Sequence, residues 1–194
     1  MKNYVVRDYQ YNEFFNHYFS YDSKNIIGDT PEDILLHIKN YLPSYVNTIV
    51  NFGSANGRDF IPFQDNFNCV GFDLADPNII EWVCKTDNLT YYQCSIEDYL
   101  ETDHTQTDLS NCLVYTQGTL MYLTSEKQNE FINHLLNKGC KNIVFHEYPP
   151  EYTGPHTKFN PSQEYLNIFT RQHFRPIIEN QPTGFIYLDH EEYK

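Results

Sequence analysis

Gly53, Ser54, Ala55 and Gly57 lie within the run Gly53-Ser54-Ala55-Asn56-Gly57-Arg58-Asp59. Small side chains at this spacing let a backbone turn sharply and approach a ligand closely. The run follows Thr48-Ile49-Val50-Asn51-Phe52, which reads as a short strand. A helix starting just after the turn would aim its free N–H groups at the same ligand. Asp73 ends a second strand-like run, Cys69-Val70-Gly71-Phe72-Asp73, sixteen positions beyond Gly57. A carboxylate there is placed to accept hydrogen bonds from ribose hydroxyls. Each feature has an ordinary alternative: tight glycine-rich turns occur without ligands, and Asp73 also fits a helix cap. Together, at this spacing and each after a strand, they favour a ligand site.

The elements that must hold these residues repeat as strand, turn and helix. Further strands are expected at Thr90–Cys94, Cys112–Thr116 and Asn142–His146. Thr30-Pro31-Glu32-Asp33 reads as a helix start, with Thr30 as N-cap and Pro31 in the first turn. Ile34, Leu35, Ile38 and Leu42 form its buried stripe, and Pro43 ends it. Ser125–Asn137 is the clearest helix: Phe131, Ile132, Leu135 and Leu136 face inward and Gly139 caps its end. Alternating strands and helices argue a doubly wound, mostly parallel α/β sheet. After Pro149-Pro150 the chain reads as loop, then a short helix near Ser162 to Phe169. Strands are expected at Arg175–Glu179 and Gly184–Leu188. The short link between those two favours an antiparallel pair, because a parallel crossover needs a dozen or more residues.

The 194 residues carry 13 basic and 26 acidic side chains, a net charge of −13. Such a balance repels phosphate backbones, and no Lys/Arg cluster offers a local patch, so nucleic acid is not the expected partner. No apolar run approaches the ~18 residues of a spanning helix. The start, Met1-Lys2-Asn3-Tyr4-Val5-Val6-Arg7-Asp8, is too polar for a signal peptide. A cytoplasmic protein without membrane attachment is expected. The five cysteines, at 69, 84, 94, 112 and 140, form no CxxC, and most lie in apolar stretches. They read as buried thiols. The eight histidines make no HxH or HExxH pair, so no metal site is expected.

Order and spacing from about residue 30 to 190 resemble the class I (Rossmann-like) S-adenosylmethionine-dependent methyltransferases. Ile49 to Asp59 resembles the first family motif, an acid followed by a G-x-G-x-G turn. Val70-Gly71-Phe72-Asp73-Leu74 resembles the second-strand motif. Tyr92-Gln93-Cys94-Ser95-Ile96-Glu97-Asp98 resembles the segment at the adenine, and Leu113 to Leu123 the fourth strand with its turn. Three positions depart: Asn51 and Ser95 stand where the family usually has acids, and Ala55 replaces the middle glycine. The GxGxxG of a dinucleotide-binding dehydrogenase is not the spacing here. The resemblance implies a seven-stranded sheet with an antiparallel C-terminal strand, and S-adenosylmethionine as cofactor.

Implied cofactor contacts are the backbone of Gly53, Ser54, Ala55 and Gly57 along the ligand, and Asp73 on the ribose. Leu74 would pack on the adenine, Ser95 and Ile96 would meet its edge, and Gln117 and Gly118 would lie beside the methionine part. Ser95 with Asp98 also fits a helix cap, and Gln117-Gly118 an ordinary turn. Methyl transfer is an in-line displacement that can require a base. Tyr122 and the pair His146-Glu147 follow strands and are the catalytic candidates, His146 because its neutral form takes a proton near pH 7. Their alternatives are a structural histidine, a helix-capping acid and a core or wall tyrosine.

Phe14, Phe15, Tyr18 and Phe19 recur at helical spacing in an aromatic-rich start. Residues 1–29 are expected to form a helical extension or lid, ahead of a methyltransferase-like domain at 30–194. The expected reaction is methyl transfer to an oxygen or nitrogen of a small molecule. Two other readings stand beside it: a non-catalytic cofactor-binding partner protein, suggested by Asn51 and Ser95, and a protein methyltransferase, suggested by the acidic surface.

Overall fold

The computed structural model describes residues 3–5, 35–36, 38–40, 42–77, 87–102, 108–146, 174–176 and 185–190. The chain divides into two compact units, 1–98 and 99–194.

In the first unit four strands lie in the order β1 (Asn3–Val5), β4 (Leu89–Gln93), β3 (Asn68–Asp73) and β2 (Thr48–Phe52), all parallel. Four of the five β2 residues are buried, as expected of a parallel strand covered on both faces. The register aligns Phe52 with Phe72 and Phe72 with Tyr92. Their rings stack across the three strands, with centroids 4.6 and 4.9 Å apart. Such cross-strand aromatic contacts pin the register, and the register brings the ends of β2 and β3 level. Phe60 and Phe63, in and just after the short 3₁₀ turn Arg58–Phe60, are also buried.

In the second unit β5 (Cys112–Gln117) runs parallel to β6 (Asn142–His146), β8 (Phe185–His190) antiparallel to β6, and β7 (Phe174–Pro176) antiparallel to β8. Helix α1 (Ile96–Thr102) begins in the first unit, and α2 (Ser125–Asn137) links β5 to β6. The Thr124 hydroxyl accepts the Lys127 N–H at the start of α2. At its end Gly139 takes φ 79°, while Gly139 and Cys140 donate to Leu136 and Leu135. This is the left-handed cap that glycine favours. Phe131, Ile132 and Leu135 are fully buried.

The described residues contain eight strands where the sequence reading counted seven. The addition is β1, Asn3–Val5, inside the segment 1–29 expected to be a helical extension or lid. Three residues are too few for alternation to register in a sequence. Residues 6–29, the helix start at 30–34, Glu147, and the helix expected near Ser162 lie outside the described residues. Leu35 and Ile38 are helical and buried, as the stripe requires, whereas Leu42 lies beyond the helix. No helix among the described residues is long and apolar enough to cross a membrane.

Candidate functional site

The turn after β2 is built on three left-handed residues. Gly53, Ala55 and Gly57 have φ of 80°, 47° and 79°. Glycine adopts this region freely; for alanine it costs about 1–2 kcal/mol. A specific tie holds Ala55 there: its N–H donates to Asp73 Oδ2 at 2.8 Å. The N–H groups of Gly53 and Ser54 both donate to the Phe72 carbonyl, at 2.8 and 3.2 Å. The glycine-like turn therefore persists with a methyl group at its middle position because β3 clamps it from the side.

Asp73 supports its own side of the site as well. Its Oδ1 accepts the Ala75 N–H at 2.8 Å, and the Leu74 N–H is a third backbone donor to the same carboxylate. A carboxylate has about four acceptor positions, which leaves about one for a further donor. Burial pushes the Asp73 carboxyl above its ordinary range, and the hydrogen bonds from Ala55, Ala75 and Leu74 oppose that rise. Two β4 side chains brace the loop after Asp73. The Tyr91 hydroxyl donates to the Ala75 carbonyl at 2.7 Å, and Gln93 Nε2 to the Leu74 carbonyl at 3.1 Å. Burial and the nearby Asp73 hold the Tyr91 phenol well above its usual range, which keeps it a neutral donor. Leu74, half-buried, stands on this braced loop.

Ser95 is bound into a reciprocal cap. Its hydroxyl and N–H both donate to Asp98 Oδ2, at 2.8 and 3.1 Å, and the Asp98 N–H returns to Ser95 Oγ at 3.0 Å. This is the capping-box arrangement at the start of α1. The Ser95 hydroxyl proton is thus engaged, while Ile96 beside it is buried.

In the second unit the Tyr115 hydroxyl donates to Gln117 Oε1 at 3.0 Å, and the Thr119 hydroxyl to the Gln117 carbonyl at 3.0 Å. Gly118 takes φ 57°. His146 ends β6 in register with Gln117, so β5 and β6 bring these two residues level at one strand end. Tyr122 closes the 3₁₀ turn Leu120–Tyr122 and is 39% exposed. That corrects the core alternative: the turn projects it outward, while Leu120 and Leu123 on either side are buried.

Sequence reasoning missed Asp59 as a site residue. Asn51, fully buried in β2, donates from Nδ2 to Asp59 Oδ2 at 3.1 Å. Arg58 Nε lies 3.8 Å from the other Asp59 oxygen. Desolvation raises the Asp59 carboxyl above its ordinary 3.8, and Arg58 and Asn51 oppose that rise. A polar residue inside an apolar strand, with an acid eight positions on, was the available signal. Two buried polar atoms at this turn, Asn51 Oδ1 and Ser54 Oγ, have no hydrogen-bond partner among the described residues. Buried polar atoms are normally paired, so these two stand out at the turn.

No protein-family model matches the chain, and no curated protein matches its sequence. Solved structures do match. The N-methyltransferase NodS from Bradyrhizobium japonicum WM9, in complex with S-adenosyl-L-homocysteine, aligns with TM-score 0.68 and 13% identity over 92% of this chain and 97% of that one. The sugar N-methyltransferase KedS8 from Streptoalloteichus sp ATCC 53650 aligns with TM-score 0.65 and 10% identity, over 96% of each chain. Magnesium protoporphyrin IX methyltransferase (ChlM) from Synechocystis PCC 6803, with bound SAM, aligns with TM-score 0.61 and 11% identity over 96% of this chain and 100% of that one. The fold is that of the class I S-adenosylmethionine-dependent methyltransferases.

Proposed function

We propose that this chain binds S-adenosylmethionine and transfers its methyl group to an oxygen or nitrogen of a small molecule. The observation that carries the reading is the clamp between the Gly53–Gly57 turn and Asp73. It combines a left-handed turn after β2, a carboxylate after β3 with an acceptor position to spare, and buried polar atoms at Asn51 and Ser54 without a hydrogen-bond partner among the described residues. These residues fit the cofactor's nucleoside and amino-acid groups.

S-adenosylmethionine, when bound, supplies a methyl group activated on a cationic sulfur. In this reading the backbone of Gly53, Ser54, Ala55 and Gly57 borders the ligand and Asp73 holds the ribose. Leu74 covers the adenine, with Ser95 and Ile96 at its edge. Gln117 and Gly118 flank the methionine part. His146, Glu147 and Tyr122 are the candidates for orienting the acceptor and taking its proton. Residues 1–29 serve as a cover on the acceptor side of a 30–194 catalytic domain, with β1 anchoring that segment to β4. Small-molecule acceptors agree with neighbours named for a sugar and a porphyrin. Cysteines 69, 94, 112 and 140 are buried and in no disulfide, in keeping with a reducing compartment such as the cytoplasm.

The test is calorimetric titration with S-adenosylmethionine, followed by a methyl-transfer screen over hydroxyl- and amine-bearing small molecules. Binding with turnover of any acceptor supports the reading. Absence of binding refutes it, and binding without turnover of any acceptor favours the partner-protein alternative.

A further inference from the structure

Gln128 interrupts the apolar stripe of α2. It is buried together with Phe131, Ile132 and Leu135 and is itself fully enclosed. A buried amide costs desolvation and rotamer freedom unless its hydrogen bonds are made. Two of them go to one short turn: Gln128 Nε2 donates to the Leu120 carbonyl at 2.9 Å and to the Leu123 carbonyl at 3.1 Å. Those carbonyls bracket Tyr122 in and just after the 3₁₀ turn Leu120–Tyr122. One amide nitrogen thus spans both ends of the turn. Inside it the Tyr122 N–H donates to the Thr119 carbonyl at 3.1 Å and the Leu123 N–H to the Leu120 carbonyl at 3.0 Å. Leu120 and Leu123 are buried, and Tyr122 stands 39% exposed. The Thr119 hydroxyl fastens the same turn to the Gln117 carbonyl at the end of β5. Leucine or methionine at position 128 would occupy similar space and gain more from burial. What the amide adds is a fixed shape, since a satisfied buried polar group rigidifies its surroundings.

We infer that Gln128 is a positioning residue: its amide fixes the turn that presents Tyr122, and through Tyr122 it orients the methyl acceptor. This rests on the reading of Tyr122 above as an acceptor-orienting residue. A purely structural role, fastening α2 to the turn, changes stability alone.

Gln128→Met separates these roles, because methionine keeps the length and bulk but donates nothing. Thr124→Ala is the control: it removes the acceptor of the Lys127 N–H at the start of α2 and leaves the two amide bonds in place. With 3-fluorotyrosine at position 122, the fluorine NMR resonance is expected to stay at its parent position in Thr124→Ala and to shift or divide in Gln128→Met. With the best acceptor from the methyl-transfer screen and saturating S-adenosylmethionine, Gln128→Met is expected to lower kcat/KM for the acceptor about tenfold or more, as for a misplaced substrate contact. In a Tyr122→Ala background the same change is expected to alter it by no more than about twofold, because residues that act through one another are not additive. Gln128→Glu, whose carboxyl donates one bond when neutral and none when ionised, is expected to regain the parent resonance as pH falls. It carries the test if the methionine variant does not fold.

An unchanged resonance in Gln128→Met, the same displacement in Thr124→Ala, or an undiminished loss on the Tyr122→Ala background overturns the inference. A parent that methylates no acceptor refutes the function reading instead, and the fluorine resonance still decides whether Gln128 places Tyr122.

Discussion

Asn51 and Ser95 stand at two places where the family resemblance leads one to expect an acid, and each is hydrogen-bonded to an acid further along the chain. Ser95 and Asp98 answer one another: serine hydroxyl and N–H to carboxylate, aspartate N–H back to serine. Helix capping engages the Ser95 hydroxyl proton, which leaves the proposed adenine edge to be met without it. Asn51 and Asp59 share one bond and leave a buried oxygen open. The same exchange of an acid for a neutral side chain closes a helix cap in one place and leaves a buried amide oxygen without a hydrogen-bond partner among the described residues in the other.

The largest variant effect on stability is expected where the turn and its carboxylate meet. Asp73→Ala removes the acceptor of three backbone donors, among them the tie that holds Ala55 at φ 47°. It should cost about 3 kcal/mol of folding stability and lower S-adenosylhomocysteine affinity about tenfold or more. Denaturant melts and calorimetry read the two losses separately. A folded variant with parent-like affinity would remove Asp73 from the ribose.

Breaking the closed pair should act on stability alone. Ser95→Ala removes the cap of α1 and is expected to cost about 1 kcal/mol, with S-adenosylhomocysteine affinity changed by no more than about twofold, less than a typical hydrogen bond is worth. A tenfold affinity loss would show that the Ser95 hydroxyl itself bonds the adenine and would erase the contrast with Asn51. Ala55→Gly probes the strain in the open region. Relief of the left-handed alanine favours the variant by about 1–2 kcal/mol. The wider freedom of glycine in the unfolded chain offsets up to about 1 kcal/mol of that. A net gain below about 1 kcal/mol is expected by thermal melt, and a loss would show that Ala55 is not strained.

The smallest effect concerns pH. Burial raises the folded carboxyls of Asp59 and Asp73 above the ordinary 3.8, so the folded chain binds their protons more tightly than the unfolded chain does. Their contribution is greatest below 3.8 and is lost as pH rises through the folded values. Exposed Asp108, lowered by its hydrogen bonds from Ser110, acts in the opposite sense. Asp59→Asn removes one of the two raised groups. Its ligand-free stability should fall less steeply with rising pH than the parent's in melts across the acidic range. An unchanged slope would mean that Asp59 is not desolvated in the folded chain.

The strands around the site were legible because they are short apolar runs ended by turn residues. Asn142–His146 coincides with the sequence reading, and β2 does so at both ends. The left-handed turn was legible from Gly53 and Gly57, since few other residues sit there without strain. The clamp itself was not legible. That Asp73 holds Ala55 depends on β2 and β3 ending level, a property of register that neither segment carries alone. Tyr91 and Gln93 read as sheet residues, and only pairing with β3 turns them into braces for the loop after Asp73. Asp59 was hidden for the same reason: its partner Asn51 is eight positions back, across a turn whose closure brings them together.

Everything proposed for this chain depends on a ligand meeting the Gly53–Gly57 turn. Gly53 has φ 80° and donates to the Phe72 carbonyl, a conformation that a β-branched residue enters only with strain. Calorimetric titration of the parent and of Gly53→Val with S-adenosylhomocysteine, both checked for a cooperative melt, tests this contact directly. The expected result is saturable binding by the parent and no measurable binding by the variant. Equal affinity in the two folded proteins would contradict the site, and no binding by the parent would contradict the cofactor itself.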